Sequence, residues 1–130
     1  MRAVYYDTHG DAEVLQIGEL DKPACGKEQV LVEVAAAGVN PIDRRLRAGE
    51  LQEYIQRTFP VTPGFDLSGR IVEVGDAVTG WQVGDEIMGL AFTWSIQYGT
   101  YAEFAPVDAG AIAPKPVNAS FAQAAGIPLV

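Results

Sequence analysis

Asn40, Asp43 and Arg45 lie within one short run, Asn40-Pro41-Ile42-Asp43-Arg44-Arg45. A carboxamide both donates and accepts hydrogen bonds, a carboxylate accepts, and a guanidinium donates. Such a set can hold a polar ligand and steady an oxygen that gains negative charge. Tyr54, Phe65 and Trp94 form a second set, of aromatics that could wall a flat apolar substrate. Their ordinary alternatives are surface loop for Tyr54 and Trp94, and core packing for Phe65. Metal chemistry is poorly supplied. Catalytic zinc takes three protein ligands, mostly Cys and His, and the chain holds one Cys (Cys25) and one His (His9), both outside these runs.

These groups need a scaffold. Asn40 reads as a helix N-cap whose side-chain oxygen accepts an orphan backbone N–H. Pro41 then takes the first helical position, and Asp43 falls where a capping-box acid would face the positive end of the helix dipole. Ile42 and Leu46 share a face, and Gly49 permits a left-handed stop. The pattern predicts a helix over residues 40–49, with Arg45 on its surface and Arg47 as a structural ion-pair partner. The capping role alone would account for Asn40 and Asp43, and it is compatible with a place in a site. A second helix is expected from Ser120, with Gln123 three residues on, and Pro128 ending or kinking it. Between and around these helices lie short strand-like runs, at residues 29–36, 67–74, 86–89, 100–107 and 111–113, separated by Gly, Pro and Asp turns. The expected fold is mainly β with short helices, a barrel or sandwich.

A chain of 130 residues reads as one domain. With 48% hydrophobic and 20% charged residues, disorder of the whole chain is excluded. The net charge of −8 repels phosphate backbones and anionic lipid, so neither nucleic acid nor membrane is an expected partner. One cysteine permits no internal disulfide, which fits a cytoplasmic location. The first residues, Met1-Arg2-Ala3-Val4-Tyr5-Tyr6-Asp7, reach a charge too early for a secretory signal.

Read together, the motifs resemble the N-terminal, GroES-like domain of zinc-free medium-chain dehydrogenases/reductases of the quinone oxidoreductase type. The resemblance is carried by Ala37-Gly38-Val39-Asn40-Pro41-Ile42-Asp43 with Arg47-Ala48-Gly49, and by Pro63-Gly64-Phe65-Asp66-Leu67-Ser68-Gly69-Arg70-Ile71-Val72-Glu73-Val74-Gly75. Val83-Gly84-Asp85-Glu86-Ile87, Gly99-Thr100-Tyr101-Ala102-Glu103-Phe104 and Lys115-Pro116 extend it. Zinc-dependent members of that family carry a Cys at Asn40 or a neighbour, and Gly-His-Glu where this chain has Gly64-Phe65-Asp66. The resemblance thus implies a partly open β-barrel over residues 1–130 that works without zinc.

It also implies the chemistry. The family reduces quinones, enones or other conjugated carbonyls with NADPH or NADH, the cofactor being held mainly by a Rossmann domain. No Gly-rich turn from strand into helix occurs in this chain; Gly64 to Gly69 leads into a strand instead. The chain is therefore expected to be the substrate-side half of such an enzyme, inactive by itself. Asn40 and Asp43 would lie toward the cofactor, and Tyr54, Phe65 and Trp94 toward the substrate. Asn40 is the first candidate donor to the developing oxyanion and Arg45 the second. An enoyl-thioester reductase and a non-enzymatic GroES-like binding module remain alternatives. Apolar residues around Phe121, Ile127, Leu129 and Val130 allow a homodimer contact.

Overall fold

The run Gln29–Ala37 is fully buried from Val30 through Val32, so it needs cover on both faces. It is the third strand of a mainly β chain. In the computed structural model, which describes residues 1–130, the elements are β1 (Arg2–Tyr5), β2 (Gln16–Glu19), β3 (Gln29–Ala37), α1 (Pro41–Arg47), β4 (Gln56–Thr62), β5 (Asp66–Val74), β6 (Glu86–Leu90), β7 (Ser95–Tyr98), β8 (Phe104–Asp108), β9 (Ile112–Pro114) and α2 (Phe121–Ala124). Strand β3 pairs antiparallel with β5 on one side and β8 on the other, and the sheet order is β8-β3-β5-β6-β9. Two small pairs complete the wall, β1 with β2 antiparallel and β4 with β7 parallel. Isolated bridges Ala3–Ala102 and Tyr6–Val61 tie them in without closing the sheet. The result is the partly open barrel with short helices that the sequence implied.

Two hydrophobic clusters hold it. Val30, Val32, Leu67, Ile71, Ile87, Ala105 and Val107 fill the barrel. Tyr6, Leu46, Ile55, Val61, Phe65 and Ile96 form the other, beneath α1. The segment Val61–Gly69 is buried without interruption and runs from one cluster to the other. Phe65 therefore packs into the second cluster and Leu67 into the first. Asp66 and Ser68 alternate to the opposite side, as strand geometry requires.

Several expectations need correction. Residues 100–103 are not part of a strand: the Thr100 and Tyr101 N–H groups donate to the Gly64 and Pro63 carbonyls, so this stretch wraps the 63–64 turn and β8 starts at Phe104. Helix α1 is seven residues long, with Gly49 in the expected left-handed conformation (φ 84°) two residues past its end. Helix α2 is a single turn, closed at its start by the Ser120–Gln123 capping box. Arg47 makes no ion pair; its Nε donates to the Gly10 carbonyl. Strands β1, β2, β4 and β7 were not foreseen. Strands β1, β2 and β7 have four residues each, and β4 lacks apolar alternation.

Candidate active site

Asn40 is placed by α1 on one side and β5 on the other. Its N–H donates to Asp43 Oδ2 at 2.8 Å, the acid half of the capping box. In the other half the Asn40 side chain is set toward the Asp43 N–H, which also donates to the main-chain carbonyl of Asn40 at 3.0 Å. The Asn40 amide nitrogen donates across to Asp66 Oδ2 at 2.8 Å. Gly38 permits this closeness, since a Cβ there would stand 2.8 Å from the Asp66 Cβ.

Asp43 and Asp66 are both buried, at 6% and 2% exposure, and neither forms an ion pair. The Tyr101 hydroxyl donates to Asp43 Oδ2 at 2.9 Å. Burial pushes the Asp43 carboxyl above the usual carboxylate range. The Asn40 N–H and Tyr101 hydroxyl oppose that shift, and the nearby Asp66 reinforces it. The Gly64 N–H also opposes it, yet Asp43 Oδ1 has no hydrogen-bond partner. Tyr101 is raised in turn, by burial first and then by the charge of Asp43. Asp66 Oδ1, Thr62 Oγ1 and Thr100 Oγ1 are likewise buried without a partner. Gly64, at φ 95°, has no room for a Cβ against Thr100 Oγ1 and the Tyr101 ring.

Arg45 does not join this group. It lies on the exposed face of α1, where its Nε meets Glu50 Oε2 at 3.1 Å and Arg44 meets the other oxygen of the same carboxylate at 2.9 Å. The hydrogen bond from Arg45 is the main cause holding Glu50 below its ordinary pKa.

The aromatic candidates separate into core and rim. Phe65 is 2% exposed and meets Phe92 at a tilt of 46° with centroids 5.5 Å apart, and Phe92 meets Trp94 edge-on at 5.2 Å. The ladder thus leads from the core to Trp94, 71% exposed. The Trp94 carbonyl accepts from the Gln56 N–H, so exposed Tyr54 lies at the same end of the β4–β7 pair. A surface depression of about 260 Å³, lined by Arg2, Ala3, Ile17, Val34 and Tyr101, touches the polar group only through Tyr101.

His9, which carried no expectation, fastens the far end of α1. Arg57 can only donate, so His9 Nε2 accepts from it at 3.1 Å and Nδ1 carries the proton offered to the Arg47 carbonyl. The residues that the sequence reading missed are Phe92, Tyr101 and Asp66 as the partner of Asn40. Asp66 had no local signal: an acid between Phe65 and Leu67 alternates to the other face of the strand, and only the fold buries it there against Asn40.

Residues 26–117 match the Alcohol dehydrogenase GroES-like domain family. The NADPH-dependent alkenal/one oxidoreductase of Arabidopsis thaliana chloroplasts is 37% identical to this chain, covering 99% of it and 34% of the relative. The quinone oxidoreductase of Mus musculus is also 37% identical, over 98% of this chain and 38% of its own length. The structure of the Coxiella burnetii quinone oxidoreductase superposes with a TM-score of 0.87 at 33% identity, over 99% of this chain and 41% of that one. This chain therefore spans between about a third and two-fifths of the length of these relatives. By sequence and by fold, the chain belongs to the alcohol dehydrogenase GroES-like domain family.

Proposed function

We propose that this domain forms the acceptor side of an NADPH- or NADH-dependent, zinc-independent oxidoreductase that reduces quinones or other conjugated carbonyls. One observation carries the reading. The positions where zinc-dependent members place metal ligands hold a hydrogen-bonded Asn40–Asp66 pair and a buried Phe65. No three His, Cys, Asp or Glu side chains converge anywhere in the chain. Without a Lewis acid, an acceptor whose own conjugation spreads the arriving charge is the suitable class of substrate. The names of the relatives, quinone and alkenal/one oxidoreductases, support the same class.

The residues present fit the nicotinamide end of the cofactor and nothing else of it. Asn40 keeps a second side-chain N–H, and Asp43 lies beside it. No loop here cradles a pyrophosphate, because the glycines from Gly64 to Gly69 lead into β5 rather than into a helix. When bound, the nicotinamide supplies the hydride. This chain orients the acceptor: the Phe92–Trp94 edge and Tyr54 offer a flat apolar rim, with Phe65 backing it from the core. Arg45 would serve an acceptor oxygen only after leaving Glu50. In the isolated 130-residue chain, the exposed Ile127, Leu129 and Val130 would be free to form a homodimer contact. No helix is long and apolar enough to cross a membrane.

The test is NADPH oxidation by the full-length protein with a quinone and with an α,β-unsaturated ketone as acceptors. Turnover that survives exhaustive chelation is the expected result. Turnover that dies with chelation and returns with zinc contradicts it, as does a protein that reduces neither acceptor.

A further inference from the structure

Trp94 and Tyr54 are the two most exposed aromatic side chains of the chain, yet the backbone holds both in place. The Trp94 carbonyl accepts from the Gln56 N–H at 3.0 Å, and the Thr93 hydroxyl donates to the Ser95 carbonyl at 2.7 Å, so the chain is fixed on both sides of the indole. Tyr54 is followed by Ile55, which is buried in the second cluster. Phe92 meets Trp94 with 81° between the ring planes and itself rests on the buried Phe65. One ring can cover at most one of the two faces of an indole, and with 71% of Trp94 exposed the other face is open. A held, open, bicyclic face binds best the ligand that overlaps it most, a planar ring system of similar size. A short linear chain overlaps little of it.

The charges along the same segment exclude another class of acceptor. Arg44 and Arg45 share Glu50, and Arg57 is committed to His9 and to the Ile55 carbonyl. Exposed Glu53 precedes Tyr54, and Asp43 and Asp66 are buried without an ion pair. No guanidinium of residues 44–57 is left to receive an anion, so a negative charge on the acceptor is opposed.

We propose that the acceptor is an uncharged fused-ring quinone, and that the open face of Trp94 is what selects it over a linear enone. This rests on the functional reading above, in which a conjugated carbonyl meets the Trp94 rim, and it narrows the class of that carbonyl. Trp94 acts as a specificity-determining residue, with Phe92 as the support that holds the indole upright. Stacking on the indole holds the bound quinone and its transition state alike, so its loss appears in KM rather than in kcat.

The experiment measures kcat/KM of the full-length protein and its Trp94→Ala and Trp94→Phe variants at saturating NADPH, with naphthoquinone and with a linear pentenone. Trp94→Ala is expected to lower the naphthoquinone-to-pentenone ratio about tenfold through the KM for naphthoquinone, the size of one aromatic pair. Trp94→Phe keeps a single ring and is expected to lose about threefold. General damage to the site would slow both acceptors alike, so a folded Trp94→Ala protein with the parent ratio overturns the proposal. If Trp94→Ala does not fold, the parent protein decides, with naphthoquinone and its sulfonate as acceptors. Salt screens a repelled anion, so the sulfonate-to-naphthoquinone ratio is expected to rise with ionic strength. A ratio that stays level or falls overturns the proposal. A parent protein that reduces the pentenone and not naphthoquinone also overturns it and leaves the functional reading standing. One that reduces neither removes that reading, and this proposal with it.

Discussion

Asn40 joins a helix start to a strand start, and its side chain serves the strand. That shifts the reason for which Asn40→Ala should be costly. The main-chain N–H bond to Asp43 survives the substitution, and only the side-chain half of the capping box is lost. Asp66 Oδ2 loses its side-chain donor, and a buried acceptor left alone costs about 1–3 kcal/mol. Denaturant unfolding should show a loss of that size, and turnover of the full-length enzyme should fall at temperatures where the variant is folded. Unchanged turnover beside lowered stability would leave Asn40 a purely structural residue. Asp43 makes a separate prediction through pH. Its carboxyl is raised in the folded state, chiefly by burial, so the folded chain holds a proton at pH values where the unfolded chain has released it. Its contribution therefore declines as pH rises from the ordinary carboxylate range, about 3.9, through the raised folded value. Asp43→Asn removes this titration. The stability of the variant relative to the parent should improve as pH rises from about 4 and level off once the folded carboxyl has ionised, and a pH-independent difference would contradict the assignment.

The elements explain why the site was partly legible. Helix α1 was readable because its signals are local: Asn40, Pro41, Asp43 and Gly49 each act within one or two turns of chain. Strand β3 was readable from a β-rich run with little polar interruption, and β5 from Ile71 and Val72 alternating with Arg70 and Glu73. The partner of Asn40 was not, because the Asn40–Asp66 bond spans 26 positions and depends on the β3–β5 register. The Phe65–Phe92–Trp94 ladder was half visible for the same reason: Phe92 belongs to no patterned run, and only the fold sets it between the other two. The stretch 100–103 was misread as strand because the Thr100 and Tyr101 N–H groups serve the Gly64 turn rather than a ladder. That turn gives the prediction at this scale. Gly64→Ala puts an L residue at φ 95°, which costs about 1–2 kcal/mol in backbone terms alone, and drives a Cβ against Thr100 and Tyr101. Thermal unfolding should show a destabilisation larger than the backbone cost. A milder effect would mean that residues 99–101 can move aside, and that the Tyr101–Asp43 bond is not held by this turn.

For the whole molecule, residues 1–130 by themselves should fold and yet neither bind NADPH at micromolar concentration nor reduce a quinone. Folding follows from the two clusters. Every buried residue of the clusters lies between Tyr6 and Val107, and the residues packed against them belong to this chain. The failure to bind follows from where phosphates could go. Helix N-termini are the usual anion sites of a chain without a phosphate loop. Here α1 has Asp43 bonded over its first turn, and α2 is a single turn capped by its own Gln123. With a net charge of −8, the rest of the surface repels a ligand bearing a pyrophosphate and a ribose phosphate. Hydride transfer further requires donor and acceptor held within roughly 3–3.5 Å, which needs a second wall facing Asn40 and the Trp94 rim. Fluorescence titration with NADPH and a quinone-dependent oxidation assay on the 130-residue chain test this directly. Micromolar binding would place a phosphate site within these residues. Sustained turnover would mean that the Asn40 face builds a complete active site without a partner.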